Sequence, residues 1–213
     1  MHKELIKRII SSLVLLPLLI YSILNGSYFF FILIFICFSI SIYEWQKMKL
    51  PNLIKIIGII FLFCSFYSML EIRTFYDDNY LLFLIISFIC IFTDIGGYIF
   101  GKIFKGPKLT KLSPNKTFAG MFGSYILSFL LFLLIIKFEL INKNYFNNLL
   151  IFVFLISSVS QSGDIIVSYF KRISKIKDTG KIIPGHGGLL DRIDGMIFAF
   201  PFFYIIEMTG YLF

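Results

Sequence analysis

Seven apolar stretches alternate with short polar segments along this chain, at about residues 9–24, 28–43, 53–70, 81–103, 118–137, 149–170 and 196–212. A helix crosses the hydrocarbon core of a bilayer with roughly 17–25 apolar residues. The pattern predicts an all-α, polytopic transmembrane helix bundle of about seven spans. A bilayer enforces that choice, because no water is present to satisfy backbone N–H and C=O groups outside helices or closed barrels. The first two stretches are separated by Asn25, Gly26 and Ser27 alone, which predicts a tight helical hairpin. Gly97 and Gly101 form a GxxxG pair on the fourth stretch, a small-residue face suited to close packing. Pro17 predicts a kink in the first stretch.

Composition agrees with this reading. The 213 residues are 58% hydrophobic and 19% aromatic, with a mean hydropathy of +0.89, whereas soluble domains are nearer half apolar. The chain reads as a single integral membrane domain. Residues 1–80 supply N-terminal transmembrane helices, and 81–213 a catalytic region with polar loops at 104–117 and 171–195. With the N-terminus placed inside, seventeen of the twenty Lys and Arg residues fall on inward segments, and only Arg73, Lys137 and Lys143 fall outside. This bias follows the positive-inside rule and puts the N-terminus and both polar loops in the cytoplasm. Abundant Lys, Ile, Phe and Asn beside scarce Arg suits an AT-rich bacterial genome, hence a bacterial inner membrane.

The net charge of +8 is explained by these border positions, so the expected partner is the lipid bilayer and not nucleic acid. Cys37, Cys64 and Cys90 lie in apolar runs without CxxC spacing, which predicts buried thiols and neither a disulfide nor a metal site. The N-terminus is basic and then apolar, like a signal peptide. It lacks an A-x-A-like cleavage site, so a retained first span is expected.

Charges inside the spans are costly and mark function by default. Asp94 and Asp164 are two such carboxylates. Around Asp164, residues Ser157, Ser160, Gln161, Ser168, Lys171 and Lys175 recur at helical spacing. The stripe they form reads as the wall of a hydrophilic cavity, with interhelical hydrogen bonding as the alternative. Lys116 and Thr117 follow Pro114 at the start of the fifth stretch, where a helix N-terminus makes a natural phosphate seat.

The densest chemistry lies in Ser168–Asp194, SYFKRISKIKDTGKIIPGHGGLLDRID. Pro184, Gly185, Gly187 and Gly188 bracket His186 in a turn whose backbone can approach a ligand. Asp191 and Asp194, three apart, share a helix face, while Asp164 and Asp178 come from elsewhere in the chain. Such oxygen donors suit Mg²⁺, which takes one or two carboxylates together with phosphates and water. Zinc fits poorly, since His186 has no second His or Cys at ligand spacing. Lys171, Arg172, Lys177 and Arg192 would neutralise charge on a transferring phosphoryl group. A solvated loop with structural Asp–Arg pairs is the bland alternative.

These residues resemble the signature of the phosphatidate cytidylyltransferases, also called CDP-diacylglycerol synthases. The match runs through Ser168, Phe170, Lys171–Arg172, Lys177–Asp178, Gly180, Ile183–Pro184, His186–Leu189, Asp191–Arg192 and Asp194. Upstream, TDIGGYIFGKIF and LSPNKTFAG resemble two further stretches of the family, with Gly97 in place of Ala and Ala119 in place of Glu or Gln. The N-terminal part resembles it only in hydropathy and in Glu44 after the second span.

The resemblance implies transfer of CMP from CTP to the phosphate of phosphatidate with Mg²⁺ as cofactor, joined by a second, monovalent or divalent cation in one version of the site. It implies a catalytic set of Asp164, Lys171, Asp178, His186, Asp191 and Asp194. Asp164 and Asp191 would hold metal, supported by Asp194 and Asp94. Lys116, Thr117, Ser168, Arg172, Lys177, Gly187, Gly188 and Arg192 would bind substrate. His186 would steady the leaving group or serve a structural hydrogen bond. Homodimerisation is admitted and not required. A transporter is the main rival class, but it predicts internal repeats that are missing here. A polyprenyl alcohol kinase or CDP-archaeol-type synthase is the rival among enzymes. The CDP-alcohol phosphatidyltransferase pattern DG-x-x-AR is absent.

Overall fold

The computed structural model of the chain describes residues 13, 17–74, 80–110, 116–140, 146–182, 185 and 187–209. Residues 17–25 form α1. There follow α2 (Ser27–Lys47), α3 (Asn52–Thr74), α4 (Tyr80–Phe104), α5 (Phe118–Lys137), α6 (Phe146–Ile173), the short α7 (Leu190–Ile193) and α8 (Met196–Met208). An isolated β bridge joins Lys108 and Thr117.

The all-α membrane architecture stands, with five helices, α2 to α6, long and apolar enough to cross a membrane. The expected count of seven is met only in part. Most of the first stretch lies outside the described residues, and α8 has 13 residues, which at 1.5 Å each reach about 20 Å, short of the hydrocarbon thickness. The chain forms two compact units, Met1–Phe83 with Phe170–Asp194, and Leu84–Tyr169 with Gly195–Phe213.

In the first unit, a link of four residues, Met48–Pro51, makes α2 and α3 antiparallel neighbours. The Phe38 ring meets Phe66 at 5.5 Å and Phe63 at 6.2 Å. Trp45 lies across Gly58, where any Cβ would collide with the indole. Its ring N–H donates to the Lys55 carbonyl at 3.1 Å, and its ring meets Phe170 edge-on at 5.2 Å. Lys55 in turn donates to the Gln46 carbonyl at 2.9 Å, satisfying one of the orphan acceptors at the end of α2. At the other end of α3, Arg73 donates to the carbonyls of Ile23 at 2.7 Å and Leu24 at 3.2 Å. Arg73, one of three cations expected on the outer side, thus caps α1.

In the second unit, glycines bring α4 and α5 into backbone contact. A Cβ on Gly96 would strike the Gly123 carbonyl, one on Gly120 the Gly97 carbonyl, and one on Gly123 the Phe100 ring. The GxxxG expectation therefore holds and has a matching glycine face on α5. At this short separation the Thr93 hydroxyl reaches Ser128 at 2.9 Å and Ser157 at 2.8 Å. Ser124 donates to the Thr93 carbonyl at 2.7 Å, and Gln161 donates to Ser157 at 3.4 Å. Ser157 and Ser160 are fully buried, Ser160 against Gly195. The first half of the α6 stripe is thus packed between helices, with Ser157 and Gln161 hydrogen-bonded and the Ser160 hydroxyl buried without a partner among the described residues. It is not the cavity wall expected, because hydroxyls of α4 and α5 fill the space beside Ser157.

Candidate active site

Polar chemistry gathers in each unit separately. In the second, Thr117 has extended backbone and N-caps α5, its hydroxyl oxygen accepting from the Gly120 N–H at 3.1 Å. Backbone bonds from Leu109 to the Lys116 carbonyl (2.8 Å) and from Phe118 to the Pro107 carbonyl (3.1 Å) tie the preceding loop down. Lys116 is thereby held one residue before the cap, and its ammonium meets the Asp164 carboxylate of α6 at 2.5 Å. Both side chains are about a quarter exposed, 24% and 27%. Ser168, one helical turn on, donates to the other Asp164 oxygen at 3.3 Å. Three residues singled out from sequence thus form one contact set.

In the first unit, Lys171 and Asp191 pair at 2.8 Å with side chains only 11% and 9% exposed. The second Asp191 oxygen accepts from the Thr179 N–H at 2.8 Å, the Thr179 hydroxyl at 3.0 Å and the Gly188 N–H at 3.3 Å. Gly187 has φ of +93°, a conformation natural only to glycine. A Cβ there would stand 3.7 Å from Asp191 and 3.8 Å from the Cβ of Asp178.

The remaining expected residues differ in exposure. Arg172, Lys177, Asp178 and Arg192 are exposed, with Arg172 donating to the Ile176 carbonyl at 3.4 Å. Asp194 is buried at 6% exposure, and Asp94 is exposed on α4. His186 lies outside the described residues, as do Pro114 and Pro184.

An ionised carboxylate offers about four acceptor positions. Asp191 has three donors to itself, the Lys171 ammonium and the Thr179 and Gly188 N–H groups, and shares the one Thr179 hydroxyl proton with Glu44. Asp164 has two, one of them long, and is part-exposed, so it fits a hard cation better. Among the described residues no three His, Cys, Asp or Glu side chains converge as a metal cluster. Mg²⁺ held by one or two carboxylates and substrate phosphates needs no such cluster.

One acidic residue escaped assignment. Glu44, at the end of α2, is 1% exposed and accepts from the Leu189 N–H at 3.0 Å, the Leu190 N–H at 2.9 Å and the Thr179 hydroxyl at 2.9 Å. The rule that flags a charge in an apolar span applied to it as it did to Asp94 and Asp164. In the sequence it stood out only as a point of resemblance to the family after the second span.

Residues 49–209 match the cytidylyltransferase family. The chain is also similar along most of its length to proteins named phosphatidate cytidylyltransferase. It is 37% identical over 209 residues to that of Rickettsia typhi, 36% over 209 to that of Rickettsia prowazekii and 34% over 210 to that of Rickettsia felis. Each match covers 94% of this chain and 91% of the relative.

Proposed function

This chain belongs to the cytidylyltransferase family and is a membrane nucleotidyltransferase, and from that premise we propose that it transfers CMP from CTP to phosphatidate, giving CDP-diacylglycerol and pyrophosphate for phospholipid biosynthesis. An oxygen of the lipid phosphate attacks the α-phosphorus of CTP in line. The new P–O bond forms as the bond to pyrophosphate breaks, and pyrophosphate leaves with the electron pair. Two polyanions must be brought together, so positioning and charge neutralisation dominate the catalysis.

Lys116 and Ser168 flank Asp164 and bind phosphate oxygens, with Thr117 beside Lys116. By resemblance to the family, Lys171, Arg172, Lys177 and Arg192 are assigned to phosphate as well. Asp164 is the residue best fitted to hold Mg²⁺. When bound, that ion neutralises phosphate oxygens and eases departure of pyrophosphate. The positive-inside bias puts this chemistry at the cytoplasmic face of a bacterial inner membrane, where a soluble nucleotide meets a phosphate anchored in lipid.

One observation carries the reading. Within the stretch matched to the family, a lysine in the loop just before α5 and an aspartate of the apolar helix α6 meet as a part-exposed pair. The test is purified protein in detergent with Mg²⁺, phosphatidate and CTP labelled at the α-phosphate. Label is expected to enter the lipid phase with the native chain and to stay in water with Asp164→Asn. No lipid label from the native chain, beside an active reference enzyme, would overturn the substrate assignment.

A further inference from the structure

We propose that Glu44 is a positioning residue: from α2 it grips residues 179, 189 and 190 so that Asp191 and Lys171 meet in the geometry the transfer uses. The proposal deepens the function given above and rests on it. Glu44 lies outside the stretch matched to the family, which begins at residue 49, and far from Asp191 in sequence.

Three observations support it. Glu44 is an almost fully buried carboxylate whose three partners are neutral donors, two backbone N–H groups and one hydroxyl. A buried charge is tolerated only when its acceptors are filled, and here the donors come from a single loop. Second, Thr179 is shared. Its hydroxyl lies 2.9 Å from Glu44 and 3.0 Å from Asp191, and its N–H also goes to Asp191 at 2.8 Å. Glu44 and Asp191 therefore hold the same residue from two sides.

Third, Glu44 accounts for two glycines that need no unusual φ. A Cβ on Gly180 would run into the Glu44 carboxylate, and one on Gly188 would meet both Thr179 and Glu44. The loop closes tightly because the carboxylate occupies the space that side chains would fill. Gly188 then presents its N–H to Asp191, which leaves the other Asp191 oxygen for Lys171.

Only an acceptor on both oxygens suits three donors, so Glu44→Gln is the discriminating variant: it keeps the shape and turns an amide N–H₂ against a donor. In the full-length protein, kcat for CMP transfer is expected to fall about tenfold or more while KM for CTP changes less than about threefold. Hydrogen exchange is expected to quicken at residues 179–191 and to remain slow in α3 and α5. Thr179→Val should reproduce the loss and Thr179→Ser should restore it. The double variant Glu44→Gln with Thr179→Val should be little worse than either single one, because both act through one contact.

Native kcat and native exchange in Glu44→Gln would overturn the proposal. So would loosening of every helix together, which would make Glu44 a general prop of the fold. Should Glu44→Gln not fold, Thr179→Val and Gly188→Ala put the same question, and native behaviour in both overturns it. If the native chain transfers no CMP, the function proposed above fails alone. The exchange arm still decides Glu44: selective loosening of 179–191 supports the proposal, and unchanged exchange refutes it.

Discussion

Asp164 and Asp191 carry the same side chain and each meets a lysine, yet their surroundings separate their roles. Asp164 is part-exposed, with Lys116 on one oxygen and Ser168 on the other. Its conversion to Asn is expected to leave folding intact and to lower turnover by at least about a hundredfold, the scale of losing a group that organises transition-state charge. Lys116→Ala is expected to raise KM for CTP or phosphatidate about tenfold, equivalent to about 1.4 kcal/mol of binding. Unchanged KM for both substrates would remove that loop from the site. Asp191 is different, because its buried partner Lys171 would be left with an uncompensated charge. Asp191→Asn is therefore expected to lose activity and also about 3–5 kcal/mol of stability, read as a lower Tm in detergent. Sequence reasoning singled out all four of these residues from their type and setting. It could not say which lysine met which aspartate, since both pairings join positions that no local spacing relates.

Among the elements, α4, α5 and α6 form the polar interior of the second unit. Their glycine faces let hydroxyls of Thr93, Ser128 and Ser157 meet within 3.2 Å. Bonds of this kind between membrane helices average about 0.6 kcal/mol each, so Thr93→Val should cost little stability. Gly123→Leu should cost more, about 1–3 kcal/mol or above, because the added side chain has Phe100 in its way. Comparing thermal unfolding of the two variants checks that order, and a larger loss from Thr93→Val would contradict it. The GxxxG motif was legible in α4 because its spacing is local. The answering glycines of α5 and the hydrogen-bonded half of the α6 stripe were not, since a serine reads the same whether it faces a cavity or another hydroxyl.

For the whole molecule, the distribution of Lys and Arg predicts that residues 102–116 and 171–192 share the cytoplasmic side. With Cys37, Cys64 and Cys90 replaced by Ala, single cysteines at Lys108 and Lys181 should react with an impermeant maleimide only from the cytoplasmic side. One at Lys137 should react from the opposite side, and labelling of Lys108 and Lys181 from different sides would break the topology. The membrane class, the all-α architecture and the family resemblance were determined by sequence alone, whereas the expected seven spans are met by five long helices among the described residues. Hydrophobic length, charge at span borders and a contiguous signature such as 168–194 are local properties that survive without coordinates. Only the tertiary structure decided that Arg73 caps α1, that Lys116 meets Asp164 and that Glu44 on α2 holds the turn before Asp191. Those contacts join residues tens of positions apart and exist because helix packing brings them within hydrogen-bond distance, which no pattern along the chain encodes.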